Sequence, residues 1–99
     1  MTSDPYADLR DLVLHSVLEG PADSGPAIRR SAADGTAVPP ALQPLIDKIH
    51  AHAYRVTDAD VAALQMVYGE DGAFEIIVSA ALGASRDRLL AGLAALEQA

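Results

Sequence analysis

With 99 residues, the chain can build one hydrophobic core but not two. Fourteen acidic residues against seven basic ones leave a net charge of −7, which opposes binding to nucleic-acid phosphates or anionic membranes. There is no cysteine, so disulfides, thiolate metal sites and thiol redox chemistry are excluded. Apolar residues make up 51% of the chain, with alanine the commonest of them, three Tyr, one Phe and no Trp. Alanine faces let helices approach closely, yet each buries little area at about 25 cal/mol per Å². A thin core of this kind gains from a partner covering one face, so a homo-oligomer is expected.

The first expected element is a helix over Pro5 to Glu19. Asp4 suits its cap, Pro5 its first position and Gly20 its exit. Tyr6, Leu9, Leu12, Val13 and Val17 define one face, widened by Leu14 and Leu18. Residues 21–40 read as a connector rich in Gly and Pro, with a short helix over Pro26 to Ala33 and Ser24 as its cap. Arg29 and Arg30 form its basic doublet, read as a solvated helix end or an anion contact. Core helices then occupy residues 41–99.

The first of these runs from Pro40 to Tyr54, with Leu42, Leu45, Ile46, Ile49 and Ala53 on one face and Pro44 tolerated in the first turn. Thr57 and Asp60 next form a variant capping box, flanked by Val56 and Val61 as a staple. It starts a helix at Asp58 that ends near Tyr68 and is closed by Gly69. Val61, Leu64 and Tyr68 share the apolar face. After a turn over Gly69 to Gly72, a long helical pattern covers Ala73 to Glu97. Phe74, Ile77, Val78, Ala81 and Leu82 point one way, and Leu89, Leu93 and Leu96 continue a narrow seam. Gly83 and Ser85 weaken the middle, where a kink is expected. The fold class is therefore all-α, a single small bundle of about five helices.

The start, MTSDPYADLR, lacks a basic, apolar leader, so no signal peptide is expected. The most apolar stretch, Ala73 to Ala84, is too short to span a bilayer and contains Glu75. A cytoplasmic location is the default expectation.

Chemistry-bearing residues are sparse. His50 and His52 are two apart on a helix and diverge by roughly 200°, so they cannot share a metal. Asp47 and His50 could, but the chain has no Glu-x-x-His pair, and no metal or cofactor is expected. No serine lies in a nucleophile elbow, and the glycines form no phosphate loop. Glu75 lies among apolar neighbours in FEIIVSAALG and is either a buried proton relay or an exposed acid near a helix N-terminus. His50 and Tyr54, one turn apart, could form a polar pair. Glu75, His50 and Tyr54 are the catalytic candidates.

The stretch VTDADVAALQMVYGEDGAFEIIVSAALGASRDRLLAGL, preceded by LIDKIHAHAYR, resembles the C-terminal half of alkylhydroperoxidase D-like proteins of the carboxymuconolactone decarboxylase superfamily. The resemblance covers roughly residues 42–96. It rests on the capped helix at Thr57, the Gly-containing turn, Phe74–Glu75, the small-residue run Ser79 to Ala84, and Arg88 followed by Gly92–Leu93. It implies an all-α fold that forms trimers or hexamers through its helices. Peroxidase members of that family use a Cys-x-x-Cys pair with a nearby His and Glu, and this chain departs from them completely at that motif. No catalytic residue carries over.

The expected function is a non-catalytic oligomeric helical module acting through protein–protein contacts, or an accessory subunit whose acidic surface steers it to a basic partner. The alternative is a cysteine-independent enzyme of the carboxymuconolactone decarboxylase-like class acting on a small organic acid. That alternative requires Glu75, His50 and Tyr54 to converge.

Overall fold

The structure, a computed structural model, describes residues 7–20 and 24–98. The expected cap Asp4, together with Pro5, Tyr6 and the side chains of Leu9, Val13 and Leu14, lies outside what is described. Among the described residues all regular structure is helical. The elements are α1 (Ala7–Glu19), α2 (Pro26–Asp34), α3 (Gln43–His52), a single 3-10 turn (Ala53–Arg55) and α4 (Asp58–Gln98). The all-α class stands, but the count of about five helices does not. The two C-terminal stretches are the two helical arms of α4, residues 58–68 and 70–98, which meet directly at a break at Gly69 (φ 77, ψ 172). Glycine adopts this left-handed region at no steric cost, so one residue does the work expected of a four-residue turn.

Local chemistry explains most boundaries. The capping box closes as its residues predict: Thr57 N–H donates to Asp60 Oδ2 (3.0 Å) and Asp60 N–H donates to Thr57 Oγ1 (3.2 Å). Helix α2 begins on Pro26 and ends at Gly35 (φ 78), whose N–H donates to Ser31 O at 2.9 Å. Ser24 is not its cap; Gly25 holds that position without a side-chain bond. Helix α3 starts at Gln43, later than expected, because Pro39 O accepts from Leu42 N–H (2.8 Å) and Gln43 N–H (3.2 Å) in a preceding turn. It also ends early, at His52, where φ −148 and ψ 66 leave the helical region.

The core lies where α2 and α3 pack on α4. Ala32, Ile46, Ile76 and Ala80 are completely buried, with Leu42, Leu45, Ile49 and Leu64 around them. Burying each of the large aliphatics contributes about 1.5–3 kcal/mol. The supposed connector is thus structural: α2 and Val38 help to form the centre of the bundle.

One packing expectation is corrected, the kink or break at Gly83, and the buried face explains why. The buried face of the second arm of α4 comprises Ala73, Ile76, Ser79, Ala80, Gly83 and Ala84, not Phe74, Ile77, Val78, Ala81 and Leu82. Phe74 and Ala81 are exposed, and Ile77, Val78 and Leu82 are half-buried. Small residues win the inward face because α2 comes too close for large ones. A Cβ at Gly83 would lie 2.6 Å from Ala33 Cα and closer still to its carbonyl oxygen. Gly83 is therefore a contact point and not a kink, and α4 runs helically through it. In α1, Leu18 is buried and Val17 half-buried, while Leu12 is exposed.

Candidate functional site

The three catalytic candidates fall in three separate environments. Glu75 is half-buried on α4, and its Oε1 accepts from both Ser24 N–H and Ser24 Oγ–H at 2.7 Å. The carboxylate ties the start of α2 to α4, and Ser24, buried although polar, is satisfied by it. The half-burial lies between the two readings of Glu75, and its recorded partners are structural.

His50 lies at the other end of α2. Its Nε2 donates to Ala32 O at 2.8 Å, which requires the proton on that nitrogen, and its ring packs against Gly35. The bond adds a second donor to a C-terminal carbonyl of α2 that also accepts from Gly35 N–H at 3.3 Å. From Ser24 to Ala32 the chain covers about 12 Å along α2, so this helix separates the Glu75 carboxylate from the His50 imidazole. A second measure agrees. His50 O accepts from Arg88 Nη2 at 2.7 Å, and Arg88 is about 20 Å further along α4 than Glu75.

Tyr54 is 80% exposed. Its ring meets His52 edge-on, with centroids 5.8 Å apart, and Arg55 lies 5.9 Å from its centroid. The expected His50–Tyr54 pair is absent because α3 stops at His52, which removes the one-turn spacing the pair needs.

Reading the sequence as surface also missed a buried arginine. Arg29 is 2% exposed and donates from Nη1 to Val17 O (2.6 Å) and from Nη2 to Gly20 O (2.8 Å). It is neither a solvated helix end nor a group facing outward toward an anion. Its planar fork closes the C-terminal end of α1, where the helix dipole favours a cation. The available signal was the exit of α1 at Gly20 without a basic residue in its last turn.

Another polar contact joins Lys48 Nζ to Asp60 Oδ2 at 2.9 Å. The Lys48 ammonium, then the Thr57 N–H, hold the Asp60 carboxyl below its ordinary value of 3.8. Asp60 borders an open groove of about 400 Å³ between α3 and the first arm of α4, walled by Leu42, Pro44, Leu45, Leu64 and Tyr68. The groove is large enough for a small molecule. Its carboxylate is already engaged, and none of Glu75, His50 and Tyr54 lines it. Among the described residues, no three His, Cys, Asp or Glu side chains are grouped to hold a metal ion.

What the surface does display is apolar. Met66 is 88% exposed, Val67 and Leu96 are exposed, and Phe74, the chain's single phenylalanine, is 67% exposed. Comparisons with family models, with curated proteins and with solved structures return no match.

Proposed function

We propose that this chain is a non-catalytic helical module that acts by associating with itself or with another protein through exposed helix faces. The observation that carries this reading is the placement of apolar bulk. Phe74, Met66 and Leu96 face solvent while Ala, Gly and Ser fill the contact between α2 and α4. Large apolar side chains in solvent mark an interaction surface when they are grouped. Met66, Val67 and Phe74 fall within nine residues spanning the break at Gly69.

The separation of Glu75, His50 and Tyr54 supports the same reading, since acid–base chemistry needs groups within hydrogen-bond reach of one substrate. The resemblance of residues 42–96 to alkylhydroperoxidase D-like proteins agrees with it, because that family assembles through its helices. A cytoplasmic location belongs to the same proposal; among the described residues no helix is long and apolar enough to cross a membrane. Sedimentation velocity across a wide concentration range tests it. The expected result is a concentration-dependent shift toward a multiple of the 10.3 kDa chain mass, alone or with a captured partner. A single monomeric species throughout, with no binding of an apolar dye, refutes it.

A further inference from the structure

The last turns of α4 carry a surface whose chemistry specifies its own partner. Wound as an α-helix, Arg86, Leu89, Leu90, Leu93, Leu96 and Glu97 fall within an arc of about 120°. Leu93 is half-buried; Leu89, Leu90 and Leu96 are exposed. Arg86 closes the stripe at its N-terminal end and Glu97 at its C-terminal end, about 16 Å apart along the axis. Both are exposed, and neither has a partner among the described residues. A leucine stripe with a cation at one end and an anion at the other is complementary to itself when reversed. Turned end for end about the middle of the segment, Leu90 meets Leu93, and Arg86 meets Glu97 at both ends. A parallel pairing would instead set Arg86 against Arg86 and Glu97 against Glu97.

The dimensions of the chain agree. Its radius of gyration is 14.5 Å, against about 12.6 Å for a typical compact domain of this length. It exposes 6472 Å², roughly 1,100 Å² more than the about 5,400 Å² of a typical monomer of its mass. A standard interface takes about 800 Å² from each partner.

We propose that this stripe is a two-fold homodimer contact: residues 86–97 of two copies pack antiparallel, with Arg86 of each chain opposite Glu97 of the other. The proposal rests on the self-association reading above and specifies which face and which orientation it uses. An isologous contact of this kind closes at two copies and leaves no free stripe.

Charge reversal tests it. R86E sets Glu against Glu97 at both ends, and E97R sets Arg against Arg86. Each single variant should weaken self-association about ten-fold, from two exposed pairs turned from attraction to repulsion. The double variant R86E/E97R keeps the net charge and should regain wild-type association. An equimolar mixture of the two single variants should regain it too, as a heterodimer. Helical circular dichroism should be unchanged throughout, since both side chains are exposed. If the wild type self-associates but the single variants match it, or neither the double variant nor the mixture is rescued, the antiparallel pairing is wrong while self-association stands. If the wild type is monomeric at every concentration, with no apolar dye bound, both readings fall.

Discussion

Replacing Gly83 by alanine should destabilise the protein, against the usual direction for a helix interior. At an open helical site the change stabilises by about 1 kcal/mol, since alanine is the best helix former and glycine among the worst. At Gly83 the added Cβ would sit 2.6 Å from Ala33 Cα, about 0.8 Å short of ordinary contact, and closer still to the Ala33 carbonyl oxygen. The obstructing atoms are backbone, so no side chain can swing aside. Helix α2 must move off α4 and loosen the seam where Ala32, Ala33, Ala80 and Ala84 are buried. Overpacking costs about 1–3 kcal/mol, and a backbone collision belongs at the upper end. The net expectation is a loss of about 2 kcal/mol, a fall in Tm of about 10 °C for a domain this size. Gly92 is the control, because a Cβ there meets nothing within 4 Å. Gly92→Ala should raise stability by about 0.5–1 kcal/mol. Thermal and urea denaturation of both variants at one protein concentration, followed by helical ellipticity, decides the point. A Gly83→Ala protein as stable as Gly92→Ala would show that α2 and α4 are not in backbone contact, and the account of the core would fail with it.

Three further outcomes follow from the polar contacts. Arg29→Met keeps an apolar stem but leaves Val17 O and Gly20 O without their donors, so stability should drop by about 1–3 kcal/mol, with hydrogen exchange accelerating first in α1. Arg29→Lys should not rescue it, because one ammonium lacks the fork that reaches both carbonyls. Ser24→Ala removes one of the two donors to Glu75 and should cost about 1–2 kcal/mol in urea denaturation, whereas a catalytic role for Glu75 would leave stability untouched. The Asp60 carboxyl is depressed in the folded state, so its contribution is fully present above its ordinary value of 3.8 and lost as pH falls through the lower folded value. In acid titrations Asp60→Asn should therefore flatten the stability profile below about pH 4; an unchanged acid limb would show that the Lys48 contact has no energetic consequence.

The features legible in the sequence are those settled within a few residues of themselves. Thr57 and Asp60 satisfy one another's backbone, and Gly69 and Gly35 break helices through their own φ values, whatever surrounds them. The start of α3 was misread by three residues, because Pro39 builds a turn ahead of the helix that Pro40 seemed to begin. Arg29, Ser24 and His50 were harder still. Each meets a partner nine or more residues away; Arg29 reads from sequence as a helix end or anion contact, Ser24 as a cap and His50 as a partner for Tyr54. The candidate trio failed for the same reason. Apolar neighbours in sequence do not locate a carboxylate, and the early end of α3 undid the spacing of His50 and Tyr54.

The second arm of α4 posed a different difficulty, and that difficulty bears on function. Two faces of this arm are apolar. Periodicity reports both and ranks them by bulk, so Phe74 and its neighbours look like the core. The packed face is the other one, of Ala73, Ile76, Ala80, Gly83 and Ala84, because bulk is what prevents α2 from approaching. A helix that is apolar nearly all round is one that is covered nearly all round. Among the described residues the small-residue face is the buried one; Ile77, Val78, Leu82 and Leu93 are half-buried, and Phe74, Leu89, Leu90 and Leu96 are exposed. The Phe74 face is therefore a surface whose composition the packing of the described residues does not explain. A second helix lying along residues 86–97 would cover the exposed leucines, and the opposed charges of Arg86 and Glu97 suit the antiparallel copy proposed above.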